Sequence, residues 1–454
     1  MKNIILALIF VFSTLTTLFA QSDSLTMAQL KQEIKREVIQ EIKAEQEAEQ
    51  KKTNKYGTKL RLYGLIRNYM HYDTRQCYAA TGELFNVMPL DVNLNEKGED
   101  LNDVEKFVFV SFTSRFGIDV TGPSIFNAES SAKLEADFCG FTPTNILLRI
   151  RHAYVQFAWE RTKLLVGQTW HPSFYVAPTT SGYSAGAPFA ASSRSPQVSL
   201  TYNAGKHWEL YFAALYQHND ASYGIDGKSY DYSRWNIWPE LFASITRKSE
   251  HLLYGASVNV LGLMPRKTSI AFTEVTNADG TTSTQPMEVL ANDRVIGVTS
   301  ELYADYNYGK FNLKAKAIYA ENATHLTMVS GFGATAYDPK TGSYEYAPLR
   351  SFTSWLNAVY GKRVVGGVLL GYTNMLGAKK DFISTDDFWV FGAKNVDYIY
   401  RIAPSITYVA KNFEVGLEGD YTVAGYGDLA IDGNTKALRD VSNTRVTLVV
   451  RYKF

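Results

Sequence analysis

The sequence predicts an all-β fold, a 16-stranded antiparallel transmembrane β-barrel preceded by an N-terminal α-helical coiled coil. Three observations predict it. From Tyr56 onward, segments of alternating apolar and polar residues recur, as a wall with one greasy and one wet face requires. The connections between them alternate between short and long. Ahead of them, Met27–Lys52 is rich in Glu, Lys and Gln and holds neither Gly nor Pro.

The chain begins with a signal peptide, 1–20. Lys2 supplies the positive end, Ile4–Phe12 the apolar core, and Leu18-Phe19-Ala20 a cleavage site before Gln21. No Cys follows that site, so a lipid-anchored product is not expected. After Ala20 no run approaches the roughly 18–20 apolar residues of a membrane helix, which leaves a closed sheet as the way to span a bilayer. Residues 21–55 are read as a periplasmic helix. Leu30, Ile34, Val38 and Ile42 make a narrow seam, helped by Met27 and Ile39. On so charged a helix that seam buries best against copies of itself, which predicts a trimeric coiled coil and a homotrimer.

The barrel domain is 56–454. Its first strand, Lys59–Tyr72, sets Leu60, Leu62, Ile66 and Met70 against Lys59, Arg61, Arg67 and His71. The second, about 107–120, sets Val108, Val110, Phe112, Phe116 and Ile118 against Ser111, Thr113, Arg115 and Asp119. Further strands are expected near 130–138, 146–159, 162–169, 197–203, 207–217, 240–247, 251–261, 294–307, 311–320, 352–360, 364–375, 399–410, 413–423 and 443–454. In 146–159, Arg149 and Arg151 share a parity with Val155, Phe157 and Trp159; either the lumen face turns apolar there or, as is expected, a bulge near His152 flips the register. The last strand places Val446, Leu448, Val450, Tyr452 and Phe454 on one face and Arg445, Thr447, Val449, Arg451 and Lys453 on the other.

Short connections such as Glu160-Arg161 and Gly309-Lys310 alternate with long ones at about 73–106, 139–145, 170–196, 218–239, 262–293, 321–351, 376–398 and 424–442. A longer turn near 121–129 breaks the rhythm. This places both barrel ends in the periplasm of a Gram-negative cell, with the barrel in outer-membrane lipid. The third long connection, 170–196, is rich in Ser, Ala, Gly and Pro. Small residues let a loop pack inside a barrel, so it is read as a constriction loop. The expected constriction residues are Arg115, Arg149, Arg151, His171, Tyr183 and Arg194. A basic lumen wall of Arg61, Arg67, Lys314, Lys316, Arg401, Arg445 and Arg451 accompanies them. Rings of Arg and Lys favour anions. The alternative is that they pair with Glu135, Asp137, Glu209, Glu301, Asp305, Glu414, Glu418 and Asp420 and stiffen the wall.

Chemistry-bearing motifs are absent from the sequence, and an enzyme is not expected. The seven His are scattered singly. Asp91-Val92-Asn93 starts like a calcium loop, but Glu96 stands where Gly is needed, so no metal is assigned. The formal charge of +1 gives no reason to expect nucleic acid. Export permits a disulfide between Cys77 and Cys139; two free thiols are the alternative.

RIRHAYVQF (Arg149–Phe157) followed by LLVGQTWHPSF (Leu164–Phe174) resembles the DcaP-like trimeric outer-membrane porins. The charged helix and the terminal Phe454 are similar to that family too. The resemblance implies a trimer of 16-stranded pores with an N-terminal periplasmic coiled coil. It implies passive diffusion of small hydrophilic solutes without a cofactor, with dicarboxylates among them. By position it puts Arg149, Arg151 and the loop after Trp170 at the constriction. Phosphate- or sugar-preferring transport, and a surface-display barrel whose loops bind external ligands, are the alternatives.

Overall fold

A computed structural model describes Arg36 and residues 57–454, apart from 142–144, 183–185, 277, 278 and 280. The chain divides into two units, Met1–Leu60 and Arg61–Phe454. In the first, Arg36 is helical and exposed. The rest of the leader and of the expected helix lies outside the described residues.

The second unit is a closed antiparallel barrel of 16 staves. In chain order these are β1 (Lys59–Asp73), β2 (Lys106–Val110 continued by Arg115–Ile125), β3 (Ala128–Phe141), β4 (Ile146–Ala158), β5 (Thr162–Trp170), β6 (Arg194–Ala204), β7 (Trp208–Leu215), β8 (Glu240–Lys248), β9 (Leu252–Leu263), β10 (Val295–Tyr308), β11 (Phe311–Glu321), β12 (Ser343–Gly361), β13 (Val364–Gly377), β14 (Val396–Ala410), β15 (Phe413–Leu429) and β16 (Thr435–Lys453). Each stave pairs with its neighbour in sequence, and β16 pairs back onto β1 from Leu65↔Lys453 to Asp73↔Arg445. The terminal residue finishes the seam. Phe454 N donates to Gly64 O at 3.0 Å, and Gly64 N donates to Phe454 O at 2.9 Å. A Cβ on residue 64 would lie 2.5 Å from the Phe454 ring, so Gly64 is what lets the ring cover the seam.

The expected faces hold on most staves. On β16, Arg445, Thr447 and Val449 are buried inside while Val446 and Leu448 face outward. β2 corrects the expectation. Its outward residues before the break are Phe107 and Phe109, and Phe112 is buried. A turn at 111–114, closed by Ser114 N on Ser111 O at 3.0 Å, changes the parity, so that Phe116 again faces out. The bulge expected near His152 is present. Glu135 pairs with His152 and Ala136 with Ile150, so Arg151 is the extra residue, and Arg151 and His152 both turn inward.

The expected longer turn near 121–129 is instead the pair Phe126-Asn127, both left-handed at φ 53° and 58°. Such a two-residue turn matches the strand twist. The long connection expected at 424–442 is mostly strand, because β15 and β16 run on together and leave only 430–434 between them. Among the described residues no helix is long and apolar enough to cross a membrane. The apolar core lies within the end of the barrel that carries the long connections. There Val87, Met88, Phe189, Phe388 and Phe391 pack with Leu349, Val396 and Tyr426 of the wall.

Candidate functional site

The inward faces of β3 and β4 bring carboxylates against arginines. Arg151 Nε donates to Glu135 Oε1 at 2.5 Å, and its Nη1 to Asp137 Oδ2 at 2.7 Å. Arg149 grips Asp137 in a fork of 3.0 and 2.9 Å. Arg115 Nη1 reaches Glu135 Oε1 at 3.3 Å, and Tyr63 donates to Glu135 Oε2 at 2.9 Å. On β1, Arg67 Nη1 donates to Tyr69 Oη at 2.9 Å, and from β16 Arg451 Nη1 donates to Glu414 Oε2 of β15 at 3.2 Å. A bidentate or shared carboxylate fixes the plane of a guanidinium, so these groups are presented in set directions.

The third long connection crosses the interior. It leaves the wall at β5, and its hydrogen bonds fall on staves far round the barrel. Lys316 Nζ donates to Ser173 O at 2.6 Å, and Lys314 Nζ to Ala177 O at 3.2 Å. Thr179 N donates to Asn357 Oδ1, and Ser181 N to Glu418 Oε2, both at 2.8 Å. Arg451 Nη2 bonds Ser181 O, and Arg401 Nη1 donates to Ala187 O at 2.6 Å. Its small residues permit this close lie against the wall, and among its described residues Phe189 is fully buried and Val176 buried in the same apolar cluster.

Between this segment and the wall lies a cavity of about 420 Å³. Arg67, Arg115, Arg151 and Arg451 line it from the wall, and Trp170, Thr179 and Thr180 are among the facing residues. Among the described residues no carboxylate lines it. Glu135, Asp137 and Glu414, which bind Arg115, Arg151 and Arg451, are not among its lining residues. Trp170 stacks on Phe174 with centroids 4.0 Å apart, and Arg194 lies 3.9 Å over its ring. A second cavity of about 650 Å³ takes in the other side of Trp170 and Phe174, with Tyr175, Glu209 and Lys248.

The residues singled out from sequence therefore separate. Arg115 and Arg151 meet in the first cavity, joined by Arg67 and Arg451, which sequence reasoning had placed only in the general wall. Arg149 is held on Asp137, and Arg194 on Trp170. His171 is buried on Glu240. Tyr183 lies outside the described residues. Lys314, Lys316, Arg401 and Arg445 hold inward connections; Arg445 forks Asp73 at 2.7 and 2.7 Å and reaches Glu83 O and Leu84 O at 3.2 Å. Arg61 pairs with Asp119. Cys77 and Cys139 are free and buried, so the bridge that export permits is not formed. Each thiol bonds a different carbonyl, Arg75 O and Phe112 O, and burial pushes Cys77 up to about 12.

A family model described as DcaP outer membrane protein matches residues 18–206, which include the first six staves. Among solved structures the chain is similar to the outer membrane channel DcaP of Acinetobacter baumannii, at 19% identity over 88% of this chain and 99% of that one, with a TM-score of 0.60. It is also similar to the anion-selective porin from Comamonas acidovorans, at 10% identity over 87% and 100%, with a TM-score of 0.50. No curated protein matches the sequence. The chain thus shares the closed β-barrel fold of these outer-membrane proteins, and its residues 18–206 are similar to the DcaP outer membrane protein family.

Proposed function

We propose that this DcaP-like barrel is a passive diffusion porin with a modest preference for small anions such as dicarboxylates. The observation that carries the reading is the cavity between the third connection and the wall. Arg67, Arg115, Arg151 and Arg451 line it, and among the described residues no carboxylate does. A confined space of low dielectric strengthens the attraction of those groups for a carboxylate or phosphate. The third connection is the constriction, and Arg67, Arg115, Arg151 and Arg451 set its charge. Arg149 and Arg194 act at one remove, by ordering Asp137 and Trp170.

In this reading residues 1–20 are removed on export. Residues 21–55 form a periplasmic coiled coil, and both barrel ends face the periplasm. The protein works as a homotrimer. Conductance of the purified protein in planar bilayers, with succinate, phosphate or a neutral sugar added in turn, tests the assignment. Succinate is expected to reduce the chloride current at concentrations where sugar has no effect. Block by sugar alone would point to a neutral-solute pore.

A second reading draws on the buried apolar cluster of Val87, Phe189, Phe388 and their neighbours inside the long-loop end. It is a barrel closed by its own connections, which displays them to external ligands. An absence of any conductance would favour it.

A further inference from the structure

Away from the arginine cavity, three side chains from distant parts of the chain converge at the root of the third connection. His171 follows β5 by one residue, Glu240 opens β8, and His325 lies in the short 3-10 turn Thr324–Leu326 after β11. They are 1%, 3% and 1% exposed. His171 Nε2 stands 3.2 Å from Glu240 Oε1, and His325 Nε2 stands 2.9 Å from it. The donor atoms of all three lie within 4.8 Å of one another. The two rings are 5.9 Å apart and nearly perpendicular, at 77°.

A buried carboxylate needs a compensating charge. At four other buried carboxylates inside the barrel an Arg or Lys supplies it: Arg151 for Asp137, Lys316 for Glu301, Arg401 for Asp420 and Arg445 for Asp73. Among the described residues Glu240 has ion-pair partners only in His171 and His325. Its Oε2 is buried without a partner, and so are His325 Nδ1, Ser173 Oγ and Asn259 Oδ1. Asn259 Nδ2 touches Glu240 Oε1 at 2.5 Å, and a flip of that amide would turn its oxygen to the same point.

We propose that His171, Glu240 and His325 form a binding site for one divalent transition-metal ion, zinc or a first-row neighbour, with Asn259 Oδ1 as a fourth donor. Two imidazoles and one carboxylate suit such an ion, whereas calcium and magnesium take oxygen shells. The ion takes the place of the Nε2 protons, and each neutral imidazole keeps its proton on Nδ1. For His171 this gives up the 3.2 Å bond from Ser173 N. His171 also lines the 650 Å³ cavity, which gives the ion a route. Once bound, it fastens the root of the third connection to β8 and to the connection after β11. The proposal does not depend on anion preference.

Full-length protein, folded in detergent, is stripped with EDTA, dialysed against Zn²⁺ and analysed by mass spectrometry. About one zinc per chain is expected. His325→Ala and Glu240→Gln should each lower retention at least tenfold, while H251A, at an exposed histidine, should not. Co²⁺ should give visible ligand-field bands in the wild type that His325→Ala loses. Folding of each variant is checked by heat-modifiable migration in SDS gels. If both site variants fail to fold, X-ray absorption of the zinc-loaded wild type decides: two-imidazole scattering supports the site, and an all-oxygen shell overturns it. Negligible zinc on the wild type, or equal zinc and equal cobalt spectra with and without His325, overturns it as well.

Discussion

Replacing Arg401 by Met should release two inward connections while leaving the barrel wall intact. Arg401 is 1% exposed. Its Nε donates to Thr422 Oγ1 at 2.7 Å and stands 2.9 Å from Asp420 Oδ1. Its Nη1 donates to Ala187 O at 2.6 Å in the third connection, and its Nη2 donates to Asn86 O in the first. The guanidinium lies 5.4 Å over the Phe189 ring. Methionine keeps much of the length and removes every donor. Asp420 then loses its cation inside the protein, which costs about 3–5 kcal/mol. Each loop carbonyl left buried adds about 1–3 kcal/mol. Undocking relieves these costs, because water then reaches Asp420 and both carbonyls. The wall ladder does not run through Arg401's side chain, so the docking equilibrium takes the loss. Together these come to about 5–11 kcal/mol, and about 1.4 kcal/mol is tenfold, so the ratio of docked to released falls by about four to eight powers of ten. Single-channel recording and limited chymotrypsin digestion read this directly. R401M should conduct with more noise and more current, and should be cut at Phe189. The double variant R401M/D420N should recover barrel stability, since no charge is stranded, but not protease protection. Wild-type noise together with wild-type resistance in R401M would refute the clamp.

Other consequences follow from particular residues. Gly167 has φ +131°, and a Cβ there would lie 2.3 Å from Ala153 O; Gly167→Ala should fail to give the heat-modifiable folded form. Asp91, in the first connection, is partly buried, which raises its pKa, but Arg439, Val92 N and Asn395 more than offset this and hold it below its ordinary 3.8. Its folded value is depressed, so its contribution is full above 3.8 and is lost as the pH falls below that value. Hydrogen exchange in residues 77–105 should therefore be slow at about pH 5 and accelerate below about pH 3, and R439Q should abolish the step. Under the proposed trimer held by a coiled coil of residues 21–55, deleting residues 25–52 should weaken the assembly in mild detergent; an assembly that survives unchanged would show that this segment is not what holds it.

Much of the wall was legible in the sequence because a period of two is imposed by the wall itself. The conflict between Arg149 and Arg151 on one side and Val155 and Phe157 on the other could be resolved only by an extra residue, and Arg151 is that residue. β2 misled for a related reason. Both of its faces are apolar near Val108–Phe112, because inside the barrel Phe112 and Val110 pack with Tyr69 and Leu84 rather than meeting water. Alternation then gives no sign of the parity change at 111–114. The lumen arginines were legible as a class but not individually. Arg401 and Arg451 have the same chemistry and both face inward, yet one is sealed under two connections and the other lines a cavity. That difference depends on where the connections fold, which short-range pattern does not record. The His171–Glu240–His325 cluster is further out of reach, since its bonds join residues 69 and 85 positions apart across three elements.

The reversal potential of the wild-type channel under a KCl gradient in planar bilayers tests the central claim most directly. The four arginines of the cavity predict a potential shifted toward the chloride equilibrium value, and R115Q/R151Q should move it toward zero. A wild-type potential on the potassium side would contradict the account, because the passing ions would then not be governed by those guanidiniums.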